Sequence, residues 1–184
     1  MRSVADDPAL AAATRRSNRD NLLHWAAANA RDPGAPVPAN VGAEPIAIAR
    51  DLVRRGATES ALDAYRTGQN AAWLRWMSLA FALTSDVDEL RELLDVSARS
   101  ISAFVDATIA GISAQMLAER IRQGVSSMAL PNELASPPHL TLSIGVATLL
   151  GGKTDAAQLL AQADEQLYAA KHAGRDRVHA VVLR

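Results

Sequence analysis

The chain has 184 residues, of which 49% are apolar and 4% aromatic, with a net charge of −1. That is enough apolar material for one domain or two small ones, and too much for a disordered chain. The near-neutral, mixed charge argues against a protein whose main task is clamping DNA or a membrane surface. With no cysteine, disulfides and thiolate zinc sites are excluded, which fits a reducing compartment.

The opening stretch, MRSVADDPALAAATRRSNRD, carries charges on both sides of a short Ala-rich run, unlike a secretory signal. A helical pattern covers residues 2–30, with Leu22, Leu23, Trp25 and Ala26 supplying apolar surface. Residues 32–43, rich in Pro and Gly, read as a loop. Pro45 sits in the first turn of a helix reaching Leu52, with Gly56 as its stop.

Thr58 is placed to cap the next helix, where Leu62, Tyr65, Gln69, Ala72, Trp76, Leu79 and Leu83 recur at spacings of three and four. Ser85, with Asp88 three residues on, resembles a capping box and opens the longest pattern in the chain. Its apolar positions run from Leu90 through Ile101, Phe104, Ile112 and Met116 to Val125, which predicts a helix of about 60 Å ending near Ser127. Gly111 and Gly124 are positions where it would divide. The best apolar run, Ile101–Met116, is interrupted by Asp106 and several Ser and Thr. A soluble, cytoplasmic protein with no membrane partner is the expectation.

After Pro131 the texture changes. HLTLSIGVA (139–147) alternates Leu140, Leu142, Ile144 and Val146 on one face, a strand signature. Gly151 and Gly152 turn the chain, Thr154 caps DAAQLLAQADEQLYAAKHA, and Gly174 ends that helix before a closing strand, DRVHAVVL. The fold class expected is mostly α: a helical bundle over 1–117, then a truncated α/β fragment over 118–184 with two strands and one helix. The boundary falls inside a helix, near Met116–Glu119.

Candidate functional residues form two groups. Lys171 and Arg175 bracket Gly174 as if to hold a phosphate, a Lys point charge beside an Arg fork. The same two residues are also what a helix C-terminus favours on dipole grounds alone. Tyr65, Gln69, Trp73 and Trp76 lie on or near one helical face, the pattern of a ligand pocket within the bundle or of plain core packing. The histidines at 24, 139, 172 and 179 lack metal-ligand spacing, and neither a metal site nor a nucleophilic triad is predicted.

AERIRQGV (118–125), LTLSIGVA (140–147) and ADEQLYAAKHAGRDRV (163–178) together resemble the end of GGDEF domains, the diguanylate cyclase family. In that family two domains dimerise and join two GTP molecules into cyclic di-GMP. The resemblance implies that Lys171 and Arg175 are phosphate-contacting cations, and that Asp164, Leu167 and Tyr168 serve packing and the helix end. It also implies magnesium and GTP as cofactor and substrate if the chain is a cyclase. The family's metal carboxylates lie on the first strand and in a Gly-Gly-Asp/Glu-Glu-Phe hairpin. Here the one Gly-Gly, at 151–152, precedes Lys153 and Thr154 and follows the SIGVA strand.

AIARDLVRRGATESALDAYRTGQNAAWLRWM (47–77) and LRELLDVSARSISAFVDATIAGISAQM (90–116) resemble a different family, the helical N-terminal domain of PucR-like (RsbR-type) regulators. Those regulators end in a helix-turn-helix that has no counterpart after residue 118. The combined expectation is a non-catalytic regulatory or sensor-type protein without catalytic residues, cofactor or nucleic-acid partner. It acts as a homodimer or through a partner regulatory protein; the alternatives are a diguanylate cyclase and a PucR-type transcriptional regulator. Two strands and one helix bury little area, and one edge of the SIGVA strand is expected to stay open.

Overall fold

The computed structural model describes residues 8–55, 58–134, 136, 138–150 and 155–183. Among them the elements are α1 (Pro8–Arg31), α2 (Ala43–Arg55), α3 (Thr58–Leu83), α4 (Val87–Ser127), β1 (Ile144–Leu149), α5 (Ala156–His172) and β2 (Val178–Leu183). The chain is thus mostly helical, with a small α/β segment at its C-terminal end. It divides into two compact units, Met1–Ile48 with Ala57–Ile109 and Ala49–Gly56 with Ala110–Arg184, so that the division runs through α2 and α4.

In the first unit, Trp25 of α1 and Ile101, Phe104 and Val105 of α4 are buried together with Val37 from the connecting loop. The spacing of three and one along α4 puts its three side chains on a single stripe. Ala28, Ala72, Trp73 and Ile109 pack against this cluster. Trp25 also meets Trp76 edge to face, with ring centroids 6.1 Å apart. The Trp25 indole N–H is paired in this interior, donating to Ser100 Oγ at 3.1 Å. The proline-rich loop is pinned down, because the Asn40 amide N–H donates to Thr108 Oγ1 (3.2 Å) and its Nδ2 donates to Asn21 Oδ1 (2.7 Å).

The α4 N-cap is Asp86, not Ser85. Its Oδ1 accepts from the backbone N–H groups of Asp88 (2.9 Å) and Glu89 (3.0 Å), satisfying two otherwise orphaned donors. Thr84 Oγ1 accepts from the Asp86 N–H and donates to Glu89, closing the turn between α3 and α4. From there α4 continues through Gly111 and Gly124 to Ser127 as one helix. By length and composition alone α4 is long and apolar enough to cross a membrane, and 56% of its most apolar window is buried within the chain.

In the second unit, β1 and β2 form a two-stranded parallel sheet in register Ile144↔Val178 to Leu149↔Leu183, with α5 as the crossover. The strand begins at Ile144 rather than at residue 139. His139 instead bridges to Pro131 antiparallel, and the Leu140 N–H donates to the Leu130 carbonyl at 2.9 Å. Alternation alone could not reveal this, because residues 139–143 keep the period but have no strand to pair with among the described residues. At Gly145 a Cβ would run into the Ala163 carbonyl and the Leu167 amide, so only glycine lets α5 lie this close to β1.

In a parallel ladder both backbone groups of a residue point to the same side. Ile144 and Leu150 donate to β2, so Gly145, Ala147 and Leu149 face away from it, and they have no backbone partner among the described residues. The α5 N-cap is Asp155, whose carboxylate accepts from the Gln158 N–H at 2.7 Å. Gly56, Gly151, Gly152 and Thr154, the expected stop, turn and cap residues, lie outside the described residues.

Candidate functional site

The end of α5 is closed by backbone bonds. The Ala173 N–H donates to Ala169, and the Arg175 N–H reaches back to the Ala170 carbonyl at 3.1 Å. Gly174 follows with φ +106°, and Arg175 (+58°) and Asp176 (+43°) continue in the left-handed region. Two successive non-glycine residues in that region are costly and persist only where surrounding contacts fix them. Two such contacts are present. Arg177 Nε donates to the Arg175 carbonyl at 2.9 Å, and Asp176 is held by Arg122 Nη1 at 2.6 Å.

Arg122 also grips Glu119 across one helical turn, with Nη2 2.8 Å from Oε1 and Nε 3.1 Å from Oε2. Gln123 Nε2 donates to Glu119 Oε1 at 3.2 Å. Arg50 of α2 closes the network, its Nε 4.0 Å from Glu119 Oε2 and its Nη2 donating to the Val178 carbonyl at 3.4 Å. That carbonyl lies on the side of β2 away from β1, so the guanidinium caps the outer edge of the sheet where β2 begins.

Burial alone would raise the Glu119 carboxyl. The Arg122 and Gln123 hydrogen bonds and the charges of Arg122 and Arg50 together outweigh it and hold the group below the usual carboxylate range. The Glu119 hydrogen bond, opposed by burial and reinforced by Asp176, pushes the Arg122 guanidinium further up.

The predicted cations sit at this corner. Lys171 is in the last turn of α5 and Arg175 just past it; both are exposed, and neither has an ion-pair or side-chain hydrogen-bond partner among the described residues. Asp164 and Tyr168 are exposed too, and the Tyr168 ring lies 4.1 Å from that of His172. The backbone of Leu167 lies against Gly145. Among the described residues no three His, Asp or Glu side chains converge as a metal site.

The second group splits. Tyr65 and Gln69 line a small cavity with Asn18, Asn21, Trp25 and Phe104. Trp73 and Trp76 are packing residues, and the Trp76 indole N–H is buried without a partner among the described residues. The cavity measures about 30 Å³, room for roughly two waters and no larger ligand. The Tyr65 hydroxyl lies 3.3 Å from Ser17 Oγ, and burial raises its pKa while hydrogen bonds with Ser17 and Asn21 oppose the shift.

The Arg50–Glu119–Arg122–Asp176 network was not found from sequence. Its one local signal is the Glu119/Arg122 spacing of three, a favourable pair on any helix. Arg50 and Asp176 are distant in the chain, and nothing in their neighbourhoods marks them as partners.

Compared with known proteins, the chain has no match among curated proteins or solved structures. Residues 105–177 do match the family model for the diguanylate cyclase GGDEF domain. The match begins within α4, takes in β1 and α5, and stops at the residue before β2. This segment, less than half of the chain, is where the likeness to diguanylate cyclases resides.

Proposed function

We propose that this is a regulatory protein in which a GGDEF-type segment has lost catalysis and acts through protein interaction, as a homodimer or with a partner regulatory protein. The observation that carries the reading is the use of carboxylates at the α5 corner. Glu119 and Asp176 both face Arg122, where they hold the loop in place, while Lys171 and Arg175 stand exposed. Phosphoryl transfer needs carboxylates that hold a divalent cation against the phosphates, and a carboxylate bonded to an arginine is not available for that. The sequence supports the same reading, since Lys153 and Thr154 follow its Gly-Gly.

Incubation of the full chain with GTP and magnesium, followed by chromatography, should yield no cyclic di-GMP; its appearance would overturn the proposal. A diguanylate cyclase is the second reading, favoured by the family match at 105–177. The open β1 edge supports a homodimer, because strand addition there satisfies its free backbone groups. Light scattering across a concentration series tests it, and a strict monomer throughout removes the dimer. The likeness of residues 17–116 to PucR-like regulators rests on the sequence strings alone. A gel shift at low salt should show no retardation of DNA, given the net charge of −1. The reading also takes the chain as cytoplasmic, with no membrane partner.

A further inference from the structure

The two edges of the parallel pair are unlike. At β2 the first outward carbonyl, that of Val178, already accepts from Arg50 at 3.4 Å. At β1 the outward N–H and C=O groups of Gly145, Ala147 and Leu149 have no backbone partner among the described residues, and every residue of the strand is only half-buried. Such groups cost free energy unless water or another strand takes them up. A charge, a proline or a bulge normally keeps an edge unpaired. Ile144–Leu149 contains no charge and no proline, and its register with β2 runs without a bulge.

Symmetry decides what covers this edge. It carries no charge with which to select a foreign strand, whereas a second copy matches it in length and in free groups without a like-charge contact. In a closed dimer each group meets its counterpart across a two-fold axis. Only an antiparallel ladder lets a residue and its own copy exchange both backbone bonds. Ala147 is the middle one of the three outward residues. An axis there sets Gly145 opposite Leu149 of the second copy and uses every free group, whereas an axis at either end leaves some unmatched. The result is a four-stranded sheet in the order β2–β1–β1–β2. Two strands alone are marginal in water, and three or more are needed for independent stability. A Cβ at Gly145 would point at α5, so alternation puts Gly145, Ala147 and Leu149 on the α5 face and Ile144, Val146 and Thr148 on the other.

We propose that two copies join through β1, antiparallel about Ala147, and that this pairing stabilises the second unit. This rests on the homodimer reading above and specifies its interface; GTP turnover, which would sink the non-catalytic reading, is measured separately and has no bearing on the strand pairing.

The chain has no cysteine, so introduced thiols are the only ones present. An axis at Ala147 sets Val146 opposite Thr148 of the second copy as a non-hydrogen-bonded pair, with Cα atoms about 4.5 Å apart, which a disulfide spans. Full-length Val146→Cys and Thr148→Cys chains, mixed and mildly oxidised, should therefore form a covalent dimer. Neither variant alone should do so, because identical positions then stand on a diagonal of roughly 7–8 Å. Ala147→Pro removes an outward N–H and spares the bonds between β1 and β2. It should leave a monomer by light scattering and abolish any rise of Tm with concentration. If that variant fails to fold, hydrogen exchange of the wild type gives the same reading, since the Gly145, Ala147 and Leu149 amides should slow as concentration rises. A dimer that survives Ala147→Pro, or cross-linking of one variant alone as efficient as that of the mixture, overturns the pairing and leaves the interaction reading standing. Fast exchange of those three amides at every concentration overturns it as well.

Discussion

Replacing Arg122 with Met tests the physical account of the charge network. The Glu119 side chain is 5% exposed and that of Arg122 17%. Removing the guanidinium leaves a buried carboxylate with one amide donor and Arg50 Nε at 4.0 Å. Breaking a buried ion pair from one side costs about 3 kcal/mol. The second arm adds little, since the Asp176 side chain is 39% exposed and solvent screens it; about 0.5 kcal/mol is a fair allowance. For a chain of this size that corresponds to a fall in Tm of roughly 10 °C.

The effect of pH fixes the mechanism. In the wild type the Glu119 carboxyl is held below its ordinary 4.5, so its contribution is present above that pH and is lost as pH falls through the lower folded value. In Arg122→Met the Arg122 hydrogen bonds no longer oppose burial, and the group moves upward. The deficit is then largest near neutrality and shrinks as acid protonates Glu119. Urea titration followed by far-UV circular dichroism at pH 7 and pH 5 measures the gap. Hydrogen exchange over 176–183 locates it in the second unit, whereas all three tryptophans lie in the first and report on that unit separately. The Glu119→Leu, Arg122→Met double variant should recover most of the loss, because an apolar pair leaves no buried charge. A gap that is constant with pH, or below about 1 kcal/mol, would refute the reasoning.

Other perturbations have separate causes. Gly145→Ala should destabilise by about 2 kcal/mol or more, because the new methyl meets α5 backbone that cannot rotate away; an unchanged Tm would count against it. Asp86→Ala and Asp155→Ala each remove a helix cap and should cost about 1 kcal/mol in denaturant titrations, whereas Ser85→Ala should be silent. Arg175→Gly relieves a left-handed residue and should raise stability by about 1 kcal/mol. If Arg175 is also a phosphate contact, that variant trades triphosphate affinity for stability, which equilibrium dialysis with GTP would detect.

The helices were largely legible in the sequence because their apolar spacing is local information. Gly174 gave the end of α5 correctly, and α4 runs to Ser127 as its periodicity required. The capping residue was less secure, since Ser85 and Asp86 are both competent and the choice depends on which side chain reaches two N–H groups at once. The start of β1 depends on where a partner strand begins, which alternation does not encode. Tyr65, Gln69, Trp73 and Trp76 share a helical spacing, but spacing cannot separate residues that line a cavity from residues that fill one. The charge network was illegible because its members are joined only by the fold.

The open flank of β1 also bears on what happens when the protein is heated or concentrated. From Leu140 to Leu150 the chain carries no charged residue and no proline. The residues that ordinarily discourage runaway strand stacking are therefore missing from the one stretch that needs them. Once the fold loosens, such a segment is a template for cross-β growth. Thermal scans should then end in precipitate before true equilibrium, with apparent midpoints that shift with scan rate, so persistence of this protein is governed by how slowly it opens.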